Sequence, residues 1–568
     1  MSKIKEYLKQ INILSLIVYA LLSWFIIAFL LYPNINLIIK TFIKDGQFSF
    51  RAFEKLFSSK RAMMSLRNSF ILAFSMIITV NIVGTFIVLV TEYFEVKGAK
   101  ILKIGFMSTL VYCGIVLVAG YQFLYSSNGF LAKILADSVL FYNEEWFIGY
   151  SAVLFIMTFA CTSNHMIFLT NAIRNIDHGT IEAAQNMGAS QLMILRKVVL
   201  PVLKPTFFSI TILTFLTGLS AISAPIVVGG KTFQTINPMI LQFSKSPVSR
   251  DIGALMAIVL GIATLLLLVI MNRVEKGGNY ISISKVKTKI VKQKINNRTV
   301  NAVVHIIAYI LFVIYVAPMI LVILFSFTNT LAINSVDLSF SNFSLSNYML
   351  LFTRKGAFEP YIVSIVYSMS AAVIVAVICL VASNIIHRKK GTVGTILEFL
   401  LLIPWLLPAT LIAMGLIMTY DLPKPIMFNK NLVGSPLLML SAYVIVTLPF
   451  SLRMLKAAFF GLDDALGDAA KSMGASGFYT FRRVILPILM PSVLAVIVLT
   501  FNNLLANYDL SVFLYHPAYK PLGIVIKTAT EQRSTQDSKA IMFVYSVILM
   551  IISTLAIYFF YGRNTKRK

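Results

Sequence analysis

The sequence predicts an all-α, polytopic membrane protein with twelve transmembrane helices, arranged as two homologous halves of six. Composition is the first reason: 58% of the residues are hydrophobic, only 12% are charged, and the mean hydropathy is +0.84. Water-soluble domains carry about a quarter charged residues, so a soluble fold is excluded. The other two reasons are twelve apolar runs of membrane-spanning length and a polar motif that occurs once in each set of six.

The apolar runs fall into two sets separated by a basic stretch. The first set lies near residues 13–32, 68–92, 104–124, 148–170, 205–224 and 252–271. The second set lies near residues 302–326, 361–386, 395–420, 434–457, 490–506 and 541–561. Pro404 and Pro408 interrupt the run at 395–420, which predicts a kink inside a packed bundle. We therefore divide the chain into a first half at 1–272, a basic linker at 273–300 and a second half at 301–568.

A short polar motif lies between the fourth and fifth apolar runs of each half. Its first copy contains Glu182, Ala183, Ala184, Gly188, Arg196 and Pro201. Its second copy contains Asp468, Ala469, Ala470, Gly474, Arg482 and Pro487. Every pair is separated by the same offset of 286 (468 − 182, 474 − 188 and 487 − 201). A constant offset through acid, glycine and proline indicates a duplicated unit.

Each copy predicts a short helix beside the membrane, within 180–201 and 463–487. Thr180 can cap the first helix and places Glu182 in its first turn, where an acid suits the helix dipole. Asp463 or Asp464 could cap the second helix. Gly188 suits a left-handed stop, and Pro201 predicts a break before the next apolar run. A pair of ordinary helical loops would show the same residues, but two copies in the same membrane context favour a shared function.

At these residues the sequence resembles the permease subunits of ATP-binding-cassette (ABC) importers. The signature of that family is Glu-Ala-Ala, a Gly four residues after the second Ala, and an apolar-Leu-Pro further on; Asp468 replaces the Glu in the second copy. More narrowly, the chain resembles the fused, double-length permeases of the ferric-iron type. The resemblance implies that both motifs are coupling helices, whose twelve motif residues transmit force from two cytoplasmic ATPase subunits. It also implies that a periplasmic or extracellular solute-binding protein or lipoprotein docks on the outer side.

The distribution of basic residues predicts that both termini and both motifs lie in the cytoplasm. In that orientation the inner segments carry Lys97, Lys100, Lys103, the run His387 to Lys390, Arg196-Lys197 and Arg482-Arg483, as the positive-inside rule requires. The resemblance places such a multi-pass protein in the bacterial inner membrane. One external segment, at about 33–67, is also basic, with Lys40, Lys44, Arg51, Lys55, Lys60, Arg61 and Arg67. It is either a solvated surface or a docking face for an acidic partner.

The motifs of the chain predict neither catalysis nor a bound cofactor. Gly230-Lys231-Thr232 resembles the end of a phosphate-binding loop, but Pro225 occupies the position of its first Gly. If ATP is used, its hydrolysis therefore belongs to a separate subunit; the resemblance assigns ATP and magnesium to a partner ATPase, and we expect the chain not to be an enzyme. The five histidines show no metal-ligand spacing, so we expect no metal site. Cys113, Cys161 and Cys379 lie within apolar runs and predict buried packing, and we expect no nucleic-acid partner.

Candidate pathway residues cluster around the end of the apolar run at 490–506. They are Asn502, Asn503, Asn507, Tyr508 and Asp509. Amide and carboxylate groups at membrane depth are expensive, which favours a functional role. Asp509 could offer a carboxylate to a hard cation such as ferric iron, with Tyr508 as a second oxygen ligand. The alternative is an ordinary polar cluster at the lipid–water interface.

The function that the resemblance implies is the membrane subunit of an ABC importer, which forms the solute pathway and couples it to ATP hydrolysis by a separate subunit. Ferric iron or an iron chelate is the first candidate solute, and thiamine, a polyamine, a phosphonate or a sugar phosphate are alternatives. A protein of another class, an ion-driven secondary transporter, would need buried carboxylates or histidines that the mid-span positions mostly lack. A non-transporting membrane scaffold would need no repeated cytoplasmic motif.

Overall fold

Helices form almost all of the described structure, because lipid offers the backbone no hydrogen bonds and each apolar run must satisfy its own. The computed structural model describes residues 13–44, 46–110, 114–136, 144–174, 176–276, 291–388, 391–531 and 534–558. A short antiparallel hairpin, Ile43–Lys44 paired with Gln47–Phe48, follows the first apolar helix.

Within the described residues, ten helices are long and apolar enough to cross a membrane, and two bent helix pairs bring the candidate spans to twelve. Spans 1 to 6 are Ile17–Phe42, Lys60–Tyr93, the pair Ala99–Leu110 and Ile115–Ile134, Tyr150–Arg174, Gln191–Leu219 and Arg250–Ile270. Spans 7 to 12 are Arg298–Ser326, Glu359–His387, the pair Thr392–Leu406 and Ala409–Tyr420, Pro436–Phe460, Gly477–Leu505 and Gln536–Ala556. Each span overlaps one predicted apolar run, which confirms the predicted all-α membrane architecture.

Shorter helices lie at the two ends of the bundle. The motif segments contain His178–Asn186 and Asp464–Ser472, which we call motif helix 1 and motif helix 2. The end of the bundle that carries them is the motif face, and the opposite end is the distal face. The helices of the distal face include Arg51–Ser58, Ser223–Val228, Ile236–Ser244, Thr330–Ser335, Ser346–Thr353, Ser511–Leu514 and Leu522–Ala529.

The predicted kink in span 9 occurs at Pro408. The helix Thr392–Leu406 contains Pro404 and continues past it, whereas the chain turns by 102° before the helix Ala409–Tyr420. Leu407 adopts an extended conformation (φ −108°, ψ 131°), because the ring of the following proline disfavours helical geometry in the residue before it. The second arm of the span is buried along its length, which explains how the bend is held.

Span 1 packs against the second half of the chain. Its buried side chains, including Phe29, share a core with residues between 367 and 514. The Tyr420 hydroxyl donates a hydrogen bond to the Ala28 carbonyl, and Asn36 Nδ2 donates to Thr419 Oγ1 at 2.8 Å. The hydropathy of span 1 predicts that it crosses the membrane, but tertiary contacts decide that it does so beside spans 9 and 10.

Span 7 makes the reciprocal exchange and packs against the first half. The fully buried Tyr315 shares a hydrogen bond with Thr162 and meets the rings of Phe106 and Phe159 at centroid distances of 5.2 and 5.3 Å. Near the distal end of the span, the ring of Phe325 lies 4.8 Å from that of Phe123. Each half therefore gives its first span to the other, and the two halves are interlocked.

Spans 5 and 11, which follow the two motifs, pack chiefly against their own halves. Span 5 lies against spans 2 and 6, and span 11 lies against spans 8 and 10. The halves meet beyond the distal ends of these spans, where segment 223–245 of the first half faces segment 508–531 of the second. Beside the contacts of the exchanged spans 1 and 7, the halves therefore also meet at the distal face.

Candidate functional site

Motif helix 1 begins at Asp177, not at the predicted cap Thr180. The Asp177 carboxylate accepts a hydrogen bond from the Gly179 amide at 3.3 Å, and Thr180 lies inside the helix. The prediction of the cap was wrong because an aspartate three residues earlier already satisfies the first free amides. Glu182 consequently lies on the second turn, where its carboxylate pairs with His178 Nε2 at 3.2 Å.

Motif helix 2 has the same start. Of its two candidate caps, Asp463 accepts a hydrogen bond from the Ala465 amide at 3.0 Å, and Asp464 is the first helical residue. Asp463 and Asp177 are separated by the repeat offset, so the two helices are capped by equivalent residues.

Both motif helices end in the predicted left-handed glycine. Gly188 and Gly474 each have φ of +80°, and in each copy the amide of the following alanine bonds to a carbonyl five residues earlier, Ala189 to Ala184 and Ala475 to Ala470, both at 3.0 Å. This is the glycine stop that suits a left-handed residue. A Cβ at either glycine would meet no atom within 4 Å, so only backbone strain would oppose a side chain there.

Pro201 does not break the helix, so the predicted break was wrong, and its equivalent Pro487 also lies in a continuous helix. One turn of π-helix precedes each proline, at Leu195–Val199 and Phe481–Ile485, and the helix then continues to the distal face. A wider turn relieves the clash of the proline ring with the preceding carbonyl and accommodates its missing amide. Arg196 and Arg482 lie on these turns and are exposed.

The outer surfaces of the two motif helices are similar. Glu182 and Ala183 are exposed while Ala184 is buried, and in the second copy Asp468 and Ala469 are exposed while Ala470 is half-buried. One face of each helix is thus held by the protein, and the other is open to a partner.

Sequence reasoning missed the most exposed apolar residues of the motifs. Met187 is 81% exposed and Met473 is 87% exposed, and these residues are equivalent in the repeat. Leu192 and its equivalent Phe478 are exposed as well. Large apolar side chains that project at the same positions of both copies indicate contact surfaces for another protein. The repeat offset was the signal that could have found them.

The end of the linker forms a strap across motif helix 1, which we define as residues 291–296. Gln293 pairs with the end of span 2 through its backbone: its amide donates to the Tyr93 carbonyl at 2.8 Å, and its carbonyl accepts from the Glu95 amide at 2.9 Å. The Gln185 side chain of motif helix 1 donates to Gln293 Oε1 at 2.6 Å. Gln191 accepts from the Asn296 amide at 3.2 Å.

These contacts change the interpretation of the linker. The sequence predicted a connection between the halves, whereas residues 291–296 join motif helix 1 to span 2 and to the start of span 7. Residues 277–290 lie outside the described structure.

A buried acid lies beneath the strap. Glu92 is only 8% exposed, and its carboxylate contacts Lys103 Nζ and Arg174, the latter through Nε at 2.8 Å and Nη2 at 3.2 Å. Lys292 of the strap donates to the Thr91 carbonyl at 2.6 Å. The network joins the motif-face ends of spans 2, 3 and 4, so it fixes the platform on which motif helix 1 rests.

One hydrogen bond joins equivalent positions of the two halves at the distal face. Ser223 Oγ donates to Asp509 Oδ1 at 2.6 Å, across the repeat offset of 286. Protein atoms crowd the Asp509 carboxylate, although the residue as a whole is exposed. Burial raises the pKa of Asp509 to about 6, while the Ser223 hydrogen bond acts in the opposite direction.

The other candidate pathway residues differ in their surroundings. Asn507 Oδ1 accepts from the Leu510 amide at 3.1 Å, which stabilises the turn after span 11. Asn503 is exposed, and Asn502 is half-buried with its Oδ1 atom buried and without a hydrogen-bond partner in the described structure. Tyr508 is 3% exposed, and burial raises its pKa above the usual range, which makes a phenolate ligand for a metal costly.

The basic segment at about 33–67, which was predicted to be external, makes contacts within the chain. Lys40 and Arg250 both pair with Asp421 of the second half, at 3.6 and 2.9 Å, and Lys55 pairs with Asp251 at 3.7 Å. Several of its cations therefore stabilise the distal face in addition to being solvated.

Cys161 and Cys379 are buried, as predicted, and Cys113 lies outside the described residues. In the described part of the chain, no group of three or more His, Cys, Asp or Glu side chains could hold a metal ion.

Comparisons with known proteins assign the chain to a family. Residues 379–567 match the family described as "Binding-protein-dependent transport system inner membrane component". Over 94% of its length the chain is 38% identical to the "Probable ABC transporter permease protein y4fN" of Sinorhizobium fredii, 94% of which it covers. The chain belongs to the ABC transporter permease family. It is thus a multi-span permease of the inner membrane.

Two further proteins resemble the permease. The "Ferric transport system permease protein FbpB" of Actinobacillus pleuropneumoniae is 21% identical over 96% of this chain and 78% of its own length. The crystal structure of a bacterial alginate ABC transporter in complex with an alginate pentasaccharide-bound periplasmic protein matches 48% of the permease and 96% of its own chain, at 20% identity and a TM-score of 0.39.

Proposed function

We propose that this permease is the membrane subunit of an importer that two cytoplasmic ATPase subunits drive through motif helices 1 and 2, with both chain termini on the same side. The observation that carries the proposal is the pair of equivalent exposed methionines, Met187 and Met473, which directly follow the last residues of motif helices 1 and 2. Two matched contact surfaces suit a pair of identical motor subunits. ATP and magnesium would be bound by those subunits and not by this chain.

Coupling requires that a displacement of the motif helices reach the distal face. Each motif helix is followed by a π-turn and a span that runs without a break to the contact between the halves. Because packed helices shift as bodies, closure of the motor subunits would rock spans 5 and 11 and change the contact at Ser223 and Asp509. A solute-binding protein would deliver the solute to that distal face.

The first candidate solute is ferric iron or an iron chelate. The relative named as a ferric permease aligns with nearly the whole chain, and Asp509, a hard oxygen donor, is exposed at the distal face. Thiamine, a polyamine, a phosphonate or a sugar phosphate remain alternatives, and uptake of radioactive iron(III) in vesicles that contain the complete transporter separates them from iron.

The coupling role is tested by changing Met187 and Met473 together to serine. We expect the permease to insert normally but to lose most of its co-purifying ATPase, because an apolar contact is removed from each docking surface. Val248→Ser is the matched control, since Val248 is 79% exposed on the distal face and should leave the association unchanged. Undiminished association in the double variant, or full uptake by the permease without any ATPase as in an ion-driven transporter, would refute the proposal.

A further inference from the structure

A cavity of about 370 Å³ opens between the two halves at the distal face, and we call it the vestibule. Its lining includes Gln242, Lys245, Tyr508, Tyr515, Lys527 and Glu531. The first half contributes the segment 225–245 and the second half contributes 508–531, and these segments are related by the repeat offset. Lys245 and Glu531, for example, occupy equivalent positions on opposite walls.

The vestibule therefore lies on the axis that relates the two halves. The hydrogen-bonded pair Ser223 and Asp509 is adjacent to it, because Pro225 and Tyr508 belong to the lining. Two homologous halves that share one pathway place it along this axis, since only there does each half contribute equivalent residues. The vestibule is thus in the position of the entrance to that pathway.

The charges of the vestibule are unequal. Lys527 forms an ion pair with Glu531, whereas Lys245 has no ion pair in the described structure. A third cation stands at the rim, because Arg61 Nη2 donates to Gln242 Oε1 at 2.6 Å. Three cations thus face two carboxylates, Glu531 in the lining and the adjacent Asp509, so positive charge is in excess. A concave site with an excess of one charge concentrates ions of the opposite sign and raises their rate of entry.

We propose that the vestibule receives the solute as an anion, either a small carboxylate or phosphate compound or a metal held in an anionic chelate. The volume is within the range of small-molecule sites. This inference rests on the proposed import function and refines it, because it favours an iron chelate of negative charge over the bare ferric ion.

The charge preference is tested on the permease alone, without the ATPase. Gln234→Cys places a thiol in the vestibule lining. The rates at which this thiol reacts with two reagents are measured, the anionic sulfonatoethyl methanethiosulfonate and the cationic trimethylammonioethyl methanethiosulfonate. Each rate is divided by the rate of a free thiol in solution with the same reagent. We expect a preference for the anionic reagent that falls about tenfold when Lys245 and Lys527 are both changed to glutamine. Lys231→Gln, outside the lining, is the matched control, and the parent chain, which keeps Gln234, measures the background. No preference, or one that survives the double change, would overturn the proposal.

The class of ligand is tested by protection. Citrate or inorganic phosphate should slow the reaction of the Gln234→Cys thiol with neutral methyl methanethiosulfonate, and spermidine at equal ionic strength should not; the reverse pattern would overturn the proposal. In the ATPase-bound transporter the reaction rate should differ between the nucleotide-free and vanadate-trapped states. If the thiol reacts at the same rate in both nucleotide states, and the ATPase binds normally, the vestibule is not part of the gated pathway. The coupling proposal would be unaffected by that result.

Discussion

Ser223 and Asp509 occupy the same position in the two copies of the repeat, and their side chains meet at 2.6 Å. Residues of homologous halves can contact their own equivalents only at the axis that relates the halves. The contact is asymmetric, because a hydroxyl faces a carboxylate and can donate to it. The duplicated chain has therefore diverged at the place where a shared pathway would be closed on the distal side.

Asp509 should make the stability of the permease depend on pH. The pKa of Asp509 is raised from 3.8 to about 6 in the folded chain. Between these two values the folded chain binds a proton that the unfolded chain has lost, so the free energy of unfolding is highest below about pH 4 and falls as the pH rises through about 6. Asp509→Asn keeps the shape without the charge. We expect the melting temperature of the native chain relative to this variant to fall between about pH 4 and pH 7 in detergent solution.

Ser223→Ala tests the direction of the pKa shift of Asp509. Its hydroxyl favours the ionised carboxylate, so its removal should move the pH-dependent interval upward. A difference between the native chain and Asp509→Asn that is flat over this interval would contradict the assignment.

Gly188→Val and Gly474→Val should separate ATP hydrolysis from uptake. Each substitution forces a β-branched residue into a left-handed conformation, at a cost of about 1–3 kcal/mol, so the end of the motif helix rearranges while the spans still insert. We expect the assembled transporter to hydrolyse ATP with little or no uptake. Gly467→Ala is the matched control, since Gly467 lies within motif helix 2 with ample space and an ordinary backbone conformation. Normal uptake in both valine variants would count against a coupling role.

The strap predicts that the two coupling sites are mechanically different. Gln185→Ala with Gln293→Ala removes the side-chain bond between motif helix 1 and the strap, which should reduce the uptake obtained per ATP hydrolysed while ATPase binding persists. The ratio of uptake to hydrolysis is the quantity to measure. Asn186→Ala, an exposed neighbour on the same helix, serves as the control. If the double variant and the control give the same ratio, the strap is only a connection.

Glu92→Gln should destabilise the platform beneath motif helix 1. The change removes the carboxylate that joins Lys103 and Arg174, and the loss of hydrogen bonds to charged groups costs on the order of 2 kcal/mol. Thermal unfolding in detergent measures the loss. Glu398→Gln breaks the more exposed Glu398–Lys456 pair of the second half and should cost under about 1 kcal/mol. Equal losses in the two variants would show that burial does not set the value of these pairs.

The spans and the glycine stops could be predicted from the sequence, because hydropathy and backbone conformation are local properties. The cap at Asp177 and the continuity of the helix through Pro201 were predicted incorrectly. Each depends on which hydrogen bonds the neighbouring turn already provides. The exchange of spans 1 and 7 was not visible either, because an apolar face does not specify which apolar neighbour it will meet.

Part of the candidate site could have been predicted from the internal repeat but was not. The offset that relates the motif copies also relates Ser223 to Asp509 and Met187 to Met473, so extending the repeat beyond the motifs would have paired these residues. The strap could not be found in this way, since its contacts with Tyr93 and Glu95 are made by the backbone.

The exchange of first spans has a consequence for biogenesis. Ala28 emerges from the ribosome 392 residues before Tyr420. The Tyr420 hydroxyl can donate its hydrogen bond to the Ala28 carbonyl only after that later helix has been inserted. During that interval the leading helix must wait in the lipid or beside an insertion factor, with one side not yet covered. Nascent chains arrested before residue 420 should therefore remain vulnerable to membrane proteases, and their survival would depend on whatever shelters that first helix.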